Sequence, residues 1–283
     1  ILIDNVFLQS NYEDKLHDPR LYAIGRIRYS LGYQKYLAKE LVPLLYSTLI
    51  ASKKLIICDL DNTLWSGILG DDGIDGLSLG GNDALGEAYL QVQKIIKAYK
   101  NRGIILAISS KNYEEIALKA ISELPNMILT KDDFATYRIN WTDKAKNISE
   151  ILDELNLLSS SAVFLDDNPS ERNRVKESFP EMLIPELPSD ISKWPKILNE
   201  LNCFDSLYLS NEDKVRTKIY LEESKRVNDK EKFVSLESWL NSLELKLKSQ
   251  LLSKENISRS VQLINKTNQF NLKTRRMSEE EYK

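Results

Sequence analysis

The sequence is poor in the residues that most often bind transition metals. It contains a single histidine, His17, and two cysteines, Cys58 and Cys203. One histidine argues against histidine-based catalysis and against a multi-histidine metal site. The His17–Asp18 pair favours a capping or surface role, because adjacent side chains rarely face each other. The two cysteines lie far apart, which argues against a disulfide framework and fits a reducing compartment, so we expect a cytoplasmic protein.

The sequence also lacks a long hydrophobic run and an excess of charge of either sign. The longest apolar span, Leu41 to Ala51, contains Pro43 and is too short to cross a bilayer, and no signal peptide is visible. The net charge of −3 gives no electrostatic reason to expect nucleic acid or a membrane as the main partner. With 283 residues, 42% of them apolar, the chain suits one large or two small domains. Because it begins with Ile1, we expect a piece of a longer protein.

The most informative stretch runs from Leu55 to Gly70, with the sequence LIICDLDNTLWSGILG. Its apolar start predicts a buried strand, since the run is short and rich in branched side chains. Asp59 and Asp61 follow directly, so two carboxylates leave the carboxyl end of a strand covered on both faces. Open α/β sheets bind ligands at that edge. Buried carboxylates need a partner, and a divalent cation is the partner that two converging acids imply.

The remaining pattern alternates strands with helices. Further strands are predicted at Ile104 to Ile108, Met127 to Leu129 and Ala162 to Leu165. Helices are predicted at Leu85 to Asn101, at Tyr113 to Leu124, at Thr142 to Leu157 and from Pro169 onward. This order predicts an α/β fold with a mostly parallel sheet and right-handed crossovers.

A parallel sheet brings the carboxyl ends of its strands to one edge, where polar side chains follow each predicted strand. The residues expected in this cleft are Asp59, Asp61, Ser110, Asn112, Lys144, Asp166 and Asp167. These types suit metal-assisted phosphoryl transfer, because a carboxylate can attack phosphorus only when a cation offsets the repulsion between two anions. We therefore expect Mg²⁺ and a phosphorylated small-molecule substrate, with metal ligands drawn from the four acids, Asp61 by its backbone carbonyl.

Roles follow from the chemistry of each group. Asp59 is the expected nucleophile, forming an aspartyl-phosphate, and Asp61 is the expected acid and base. Ser110, Asn112 and Lys144 are the expected phosphate-binding residues. Each of these residues also has a structural explanation when it is considered alone. Ser110 fits a turn, Lys144 fits a solvated helix start, and Asp166 and Asp167 fit a helix cap. The ordered set on successive elements favours the enzyme.

The Gly-rich segment after the acidic stretch allows two interpretations. Asp71, Asp72 and Asp75 stand among its glycines and superficially resemble a calcium loop. The segment lacks the acid at the twelfth position that such a loop requires, which favours a turn or a mobile flap.

These motifs resemble a known superfamily. DLDNTLW at Asp59 to Trp65, the strand ending in Ser110, Lys144, and FLDDNPSER at Phe164 to Arg172 resemble the four motifs of the haloacid dehalogenase phosphatases. HDPRLY, SSKN, NWTDK and LINKTNQFNLKTRR are more narrowly similar to FkbH-like proteins of subfamily IIIC. The resemblance implies a Rossmann-like three-layer core with a small flap and no large cap. It also implies that Asp167 is the metal ligand of the acidic pair and that Asp166 orients the metal's surroundings or Lys144. Cys58 departs from the usual aliphatic residue, and its strand position indicates packing.

FkbH-like enzymes take a glyceryl group from 1,3-bisphosphoglycerate, load it on an acyl carrier protein and remove the phosphate. The resemblance therefore implies a phosphatase with glyceryl-transferase activity and an acyl carrier protein as partner. Two alternatives stay open. The chain would be a plain phosphatase acting on a sugar phosphate or polynucleotide end, or a non-catalytic scaffold that docks a carrier protein.

The flanks are expected to form separate parts. We predict an N-terminal helical segment (1–50), the phosphatase core (51–205), a charged helical linker (206–232) and the start of an acyltransferase-like, GNAT-like α+β module (233–283). The core is expected to close with an edge strand and loop over Glu181 to Trp194. Beyond it, a strand is predicted over Leu243 to Gln250 and a helix over Ile257 to Thr267. Lys266, Lys273, Arg275 and Arg276 around Phe270 suggest either RNA binding or, as we prefer, an exposed edge of that module.

Overall fold

The computed structural model describes residues 4–49, 52–81, 83–204, 248–266 and 278–282. The chain forms two compact units, Ile1–Asn228 and Asp229–Lys283. Within the described ranges, none of the helices combines the length and the apolarity that a bilayer span requires.

Four parallel strands form the centre of the first unit. They are β1 (Leu55–Cys58), β2 (Ile105–Ser110), β3 (Phe134–Ile139) and β4 (Ala162–Leu165), in the order β3-β2-β1-β4. The inner strand β1 pairs with β2 on one side and with β4 on the other. Its residue Ile57, for example, pairs with Ala107 of β2 and with Phe164 of β4. The chain fills one side of β1 with β2 and β3 and then crosses to the other side with β4. This change of direction makes the gap between β1 and β4 the switch point of the sheet.

Helices cover both faces of the sheet and create three layers. The helices of this core are α4 (Leu69–Asp72), α5 (Ala84–Asn101), α6 (Glu114–Glu123), α7 (Lys144–Glu154), α8 (Pro169–Ser178) and α9 (Trp194–Asn199). One hydrophobic cluster joins α5, α6 and α9 to alternate strand residues such as Ile56, and a second joins α7 and α8 to their neighbours such as Ile57. The alternation of strand side chains thus buries both faces, as the continuous apolar runs predicted. The predicted α/β three-layer core is confirmed.

The third strand was predicted at the wrong place. Met127 to Leu129 forms no strand, and β3 begins only at Phe134. The backbone N–H groups of Ile128 and Leu129 donate instead to the Oε1 atom of Gln93, a fully buried residue of α5, at 3.0 and 3.3 Å. A side chain thus supplies the partner that a neighbouring strand would have supplied, so burial and branching alone mislead here.

The segment before the core is helical, with α1 (Asn5–Ser10), α2 (Pro19–Gly25) and α3 (Leu31–Leu49). The apolar residues between Leu21 and Leu31 do not belong to one continuous helix. Arg26 adopts a left-handed conformation with φ of 55° and ends α2, and Ile24 and Leu31 are exposed. Pro43 lies inside α3. Asp18 caps α2, whereas the ring of His17 stacks on Tyr29, which agrees with a structural role.

The Gly-rich segment forms a small flap held by its own hydrogen bonds. Ser66 and Ser78 pair as an antiparallel bridge, and α4 and a 3₁₀ helix at Ile74–Gly76 lie between them. The Asp72 carboxylate accepts a hydrogen bond from the Ile68 N–H at 2.8 Å, which closes the loop. This bond supports the turn interpretation over the calcium loop.

The parts after the core are described only in places. Leu183 makes a single parallel bridge to Val163, so the predicted edge strand is reduced to one residue pair. The predicted linker and the basic residues from Lys273 to Arg276 lie outside the described residues. So does the predicted strand over 243–250, except for 248–250, which have no regular structure. The predicted helix from Ile257 is confirmed as α10 (Ile257–Lys266), and a short helix α11 (Glu279–Tyr282) follows.

Candidate active site

The predicted site residues follow the carboxyl ends of β1, β2 and β4 and begin α7. Asp59 comes directly after β1, Ser110 ends β2, and Asp166 and Asp167 come directly after β4. Lys144 opens α7, where the Asp143 carboxylate accepts hydrogen bonds from the next two backbone N–H groups. The Asp59 N–H also donates to the Leu165 carbonyl, which continues the β1–β4 ladder to the acids.

Three carboxylates converge at the switch point. One oxygen from each of Asp59, Asp166 and Asp167 lies within 4.8 Å of the others, as ligands of a single metal ion would. The Asp59 Oδ1 atom is buried and has no hydrogen-bond partner in the described part of the chain. A buried, unpartnered carboxylate oxygen is costly, and a hard cation with oxygen ligands would satisfy it. The donor set therefore fits a metal ion such as Mg²⁺.

Lys144 lies within this acid cluster. Its ammonium Nζ is 2.8 Å from Asp59 Oδ2 and 2.5 Å from Asp166 Oδ2, and its side chain is almost fully buried. Burial alone would lower the pKa of Lys144. The negative charges of Asp59 and Asp166 outweigh this effect, so its pKa lies above the ordinary value. Lys144 is therefore a fixed positive charge rather than the solvated helix start that its position alone also allowed.

The two acids after β4 differ in their surroundings. Burial and then the charge of Asp59 raise the pKa of Asp166, although Lys144 and the Asn168 N–H act in the opposite direction. The pKa of Asp167 is also raised, first by burial and then by the charge of Asp59. Asp166 is fully buried and bonded to Lys144, whereas Asp167 is partly accessible. One cation in this cluster would lower both pKa values.

Asp61 lies beside the acid cluster and does not belong to it. Its Oδ1 atom accepts hydrogen bonds from Trp65 Nε1 at 2.9 Å and from the flap residue Leu69 N–H at 3.2 Å. Its Oδ2 atom accepts one from Asn112 Nδ2 at 2.8 Å. Burial raises the pKa of Asp61 and these three donors only partly offset that effect. The side chain is thus oriented, and its proton affinity is increased.

Ser110 and Asn112 stand near each other at the end of β2. Both are buried, and the Ser110 carbonyl accepts a hydrogen bond from the Asn140 N–H, which ties the ends of β2 and β3 together. The Asn112 amide donates a hydrogen bond to Asp61, the expected acid and base. Its role as a phosphate-binding residue stays a prediction.

Comparison with known proteins bears on what this arrangement is. No protein-family model and no curated protein matches the chain. Among solved structures it matches the N-terminal part of the protein BF1531 from Bacteroides fragilis, a crystal structure that contains a phosphatase domain complexed with Mg. The two are 39% identical with a TM-score of 0.60, over 68% of this chain and 51% of that chain. The chain thus spans about half the length of that structure.

The fold is that of a haloacid-dehalogenase-like phosphatase domain. Within this fold, the cluster of Asp59, Asp166 and Asp167 lies where a metal ion would sit. The match supports the broader resemblance found in the sequence and does not single out the FkbH-like proteins.

Several residues that surround the acid cluster and Asp61 carry no role in the sequence interpretation. Trp65 donates to Asp61, the Thr63 hydroxyl accepts from the Asp167 N–H, and Arg172 donates to the backbone of the acid loop. Burial and then the charge of Asp167 raise the pKa of Tyr89 on α5 to about 12, so this phenol stays protonated. Trp65, Thr63 and Arg172 all lie inside the motifs quoted above. Their positions in those motifs were the available signal, but their partners depend on the tertiary fold.

Proposed function

We propose that this chain is a Mg²⁺-dependent phosphatase that works through an aspartyl-phosphate on Asp59. The observation that carries the proposal is the convergence of three carboxylates and one buried lysine at the switch point of the sheet. The Mg-bound phosphatase domain of BF1531 supports the same reaction class. Asp59, Asp166 and Asp167 would hold the ion, with the backbone carbonyl of Asp61 as a further candidate ligand. The ion would offset the repulsion between the nucleophile and the phosphoryl oxygens.

Catalysis by the chain's own residues has two halves. A carboxylate oxygen of Asp59 forms a bond to phosphorus while the bond to the leaving oxygen breaks, and Asp61 gives that oxygen a proton. Asp61 then takes a proton from water as the water oxygen attacks phosphorus. The bond to Asp59 breaks, inorganic phosphate leaves and both carboxyl groups return to their starting forms. Lys144, with Ser110 and Asn112, would stabilise the charge on the phosphoryl oxygens.

The hydrogen bonds of Asp61 support its assignment as the acid. Oδ1 already accepts two hydrogen bonds, whereas Oδ2 accepts one, which leaves a lone pair on Oδ2 for a proton. Burial raises the pKa of this carboxyl, which favours the protonated form that an acid requires. The rigid donors also fix the direction in which the proton is presented.

Phosphate release is the direct test of the reaction class. The wild-type chain should release phosphate from at least one of acetyl phosphate, a sugar phosphate and a phosphorylated oligonucleotide in the presence of Mg²⁺. Asp59→Asn should reduce that release by about 10³-fold or more while the far-UV circular dichroism stays the same. Lack of turnover by the wild type with every class, or full turnover by the variant, would refute the proposal.

The FkbH-like motifs support a narrower version of this function. We infer that the phosphoryl group comes from 1,3-bisphosphoglycerate and that the glyceryl group passes to an acyl carrier protein. Incubation with 1,3-bisphosphoglycerate and candidate carriers should increase the carrier mass by one glyceryl group and release phosphate. Phosphate release without any change in carrier mass would favour the plain phosphatase instead.

A scaffold that only docks a carrier is the competing function from another class. It predicts no turnover with any phosphate, and carrier binding that is unaltered in Asp59→Asn. The Asp59 Oδ1 atom, which is buried and has no partner among the residues that the structure describes, favours the enzyme, because a scaffold gains nothing from such an atom.

A further inference from the structure

Arg172 on α8 is a buried cation, and within the described part of the chain its side-chain hydrogen bonds all go to backbone carbonyl groups. Its side chain is largely inaccessible, and no carboxylate in the described ranges lies within ion-pair distance of its guanidinium. Nη1 donates to the carbonyls of Asp166 and Asp167, at 2.8 Å each, and Nη2 donates to the Leu187 carbonyl at 3.2 Å. A buried charge without a counter-ion is costly, so its position calls for an explanation.

The carbonyls that Arg172 binds belong to the two acids that follow β4. The Asp166 side chain is separately held by Lys144 and by the Asn168 N–H, and the Asp167 N–H donates to Thr63. Arg172 supplies the remaining bonds on the carbonyl side of these peptides. The planar guanidinium can hold several acceptors at once in a fixed direction, which a lysine ammonium on a flexible chain does less well.

We propose that Arg172 is a positioning residue for the metal site and sets the relative orientation of the Asp166 and Asp167 carboxylates. This inference rests on the proposed metal-dependent function. It concerns how tightly the cation is held, since Arg172 contacts no reacting atom. Residues that orient metal ligands from behind typically change metal affinity by 10–100-fold when they are replaced.

Electrostatics and positioning predict opposite results, which makes the inference testable. A positive charge next to the acid cluster repels a cation, so its removal would strengthen Mg²⁺ binding if Arg172 acted only through its charge. If Arg172 positions the acids, its removal weakens binding because the carboxylates lose their common geometry. The sign of the change therefore separates the two roles.

The experiment is calorimetric titration of the chelator-treated chain with Mg²⁺, which does not depend on turnover. We expect R172Q to weaken binding by about 10–100-fold, and R172K to weaken it by a smaller factor because one charged donor remains. Asp133→Asn serves as the control, since it removes two partly buried ion pairs before the amino end of β3, away from the carboxyl ends of the strands, and should leave Mg²⁺ affinity unchanged. Urea unfolding of the metal-free variants separates affinity from stability.

Each outcome decides the inference. Wild-type or tighter Mg²⁺ binding by R172Q, together with a loss of stability, would overturn it and leave a purely structural role. If R172Q does not fold, R172K carries the test, and wild-type affinity there would likewise overturn it. Failure of the wild-type chain to bind Mg²⁺ would refute the proposed function and this inference with it. Binding that only the wild type and Asp133→Asn retain supports both.

A second, independent observation concerns two exposed aromatic side chains at the sheet edge. Tyr113 follows Asn112, whose amide contacts Asp61, and Trp141 follows Asn140, whose N–H bonds the Ser110 carbonyl. Their rings pack edge to face with centroids 5.8 Å apart. They are 62% and 63% exposed, whereas Trp65 and Trp194 are buried in the core.

We also infer that Tyr113 and Trp141 determine substrate specificity by contacting the organic group of the phosphorylated substrate. Exposed aromatic surface is unfavourable in water, and an aromatic pair beside reacting groups offers a ring or apolar chain an edge and a face to pack against. This inference rests on the proposed phosphatase function in its plain form, without 1,3-bisphosphoglycerate as the donor, and it predicts a preference for phosphates that carry an apolar or planar group.

Comparison of phenyl phosphate with acetyl phosphate tests this inference. Trp141→Ala and Tyr113→Ala should lower kcat/KM for phenyl phosphate by about 10-fold or more and change that for acetyl phosphate by less than about 2-fold, as about 1.4 kcal/mol of contact energy corresponds to 10-fold. Tyr22→Ala, an exposed tyrosine of α2, is the matched control and should change neither. Equal effects on both substrates, or no effect on either, would overturn the inference. Lack of turnover by the wild type would refute the proposed function itself.

Discussion

At the scale of single residues, the site is defined by an imbalance of charge. Three carboxylates of the acid cluster face one ammonium, and one oxygen of Asp59 has no hydrogen-bond partner among the described residues. Lys144 alone cannot compensate this negative charge, because buried like charges repel strongly. A bound cation restores the balance. The same residues that make the cluster unfavourable when empty thus make it selective for a small, hard ion.

Asp61→Asn tests the acid role through the leaving group. An alkoxide leaves only when it is protonated, whereas the carboxylate of an acyl phosphate leaves without a proton. The variant should therefore lower kcat/KM by about 10²–10⁴-fold for a sugar phosphate and much less for acetyl phosphate. Steady-state kinetics on both substrates measures the difference. Asp75→Asn, an exposed flap acid, is the control and should behave as the wild type, while equal slowing of both substrates would contradict the acid role.

Lys144→Met tests how much the buried ammonium contributes to stability. Its loss leaves Asp59 and Asp166 buried without their shared counter-charge, so we expect the free energy of unfolding to fall by about 3–5 kcal/mol. Urea unfolding at neutral pH, in chelator, measures it. Lys146→Met changes an exposed lysine of the same helix and should alter stability by less than about 0.5 kcal/mol. A similar small effect of both variants would contradict the buried pairing.

At the scale of elements, the strands are short, and side-chain contacts help to hold the turns between them. The turn before β3 is anchored by Asp133, which accepts hydrogen bonds from the Thr130 N–H and from Lys97 and Lys100 of α5. The acid is almost fully buried, and both lysines are partly buried. This contact holds the turn that leads into β3.

Asp133→Asn should lower the free energy of unfolding by about 2–4 kcal/mol at neutral pH, because two lysines lose a buried partner. Burial would raise the pKa of Asp133, but the bonds from Lys97, Thr130 and Lys100 outweigh it and lower the pKa. A lowered pKa in the folded chain gives stability that is present above the unfolded value of about 4 and is lost as the pH falls through the folded value.

The difference between wild type and Asp133→Asn should therefore shrink below about pH 4, which urea unfolding across a pH series would reveal. Glu123→Gln breaks the exposed Lys119–Glu123 pair of α6 and is the control, with an expected cost below about 1 kcal/mol at every pH. A pH-independent difference for Asp133→Asn would contradict the ionic origin of its contribution.

At the scale of the whole molecule, the metal site and the fold are linked. The acid cluster joins loops after β1 and β4 with the start of α7, so a cation bound there holds together parts of the chain that are distant in sequence. A ligand that binds only the folded state adds to its stability by mass action.

Chelation should inactivate the protein, and Mg²⁺ should restore activity and raise stability together. At a Mg²⁺ concentration 100 times the dissociation constant, the free energy of unfolding should rise by about 2.7 kcal/mol. Thermal unfolding with and without Mg²⁺ measures this, with sodium chloride of equal ionic strength as the control. Asp167→Asn should remove most of the rise. Full activity in chelator, or an equal rise with sodium chloride, would contradict a specific site.

The sequence by itself determined the class of fold, and it predicted several of the residues that meet at the switch point of the sheet. Continuous apolar runs such as Leu55 to Cys58 predict buried strands, because a strand buried on both faces needs apolar side chains at every position. The acids that follow such runs are predicted to lie close together, since parallel strands bring their carboxyl ends to one edge of the sheet. Asp59, Asp166 and Lys144 were predicted in this way, and the structure brings them together.

Only the tertiary structure decided which partners the buried polar groups find. Gln93 of α5 accepts hydrogen bonds from the N–H groups of Ile128 and Leu129, and the third strand begins only at Phe134. Trp65 and Arg172 likewise acquire their roles from Asp61 and from the carbonyls after β4. Local periodicity carries no information about such contacts, because it reports which face of an element is buried and not which polar group the packing of the layers brings to a buried side chain.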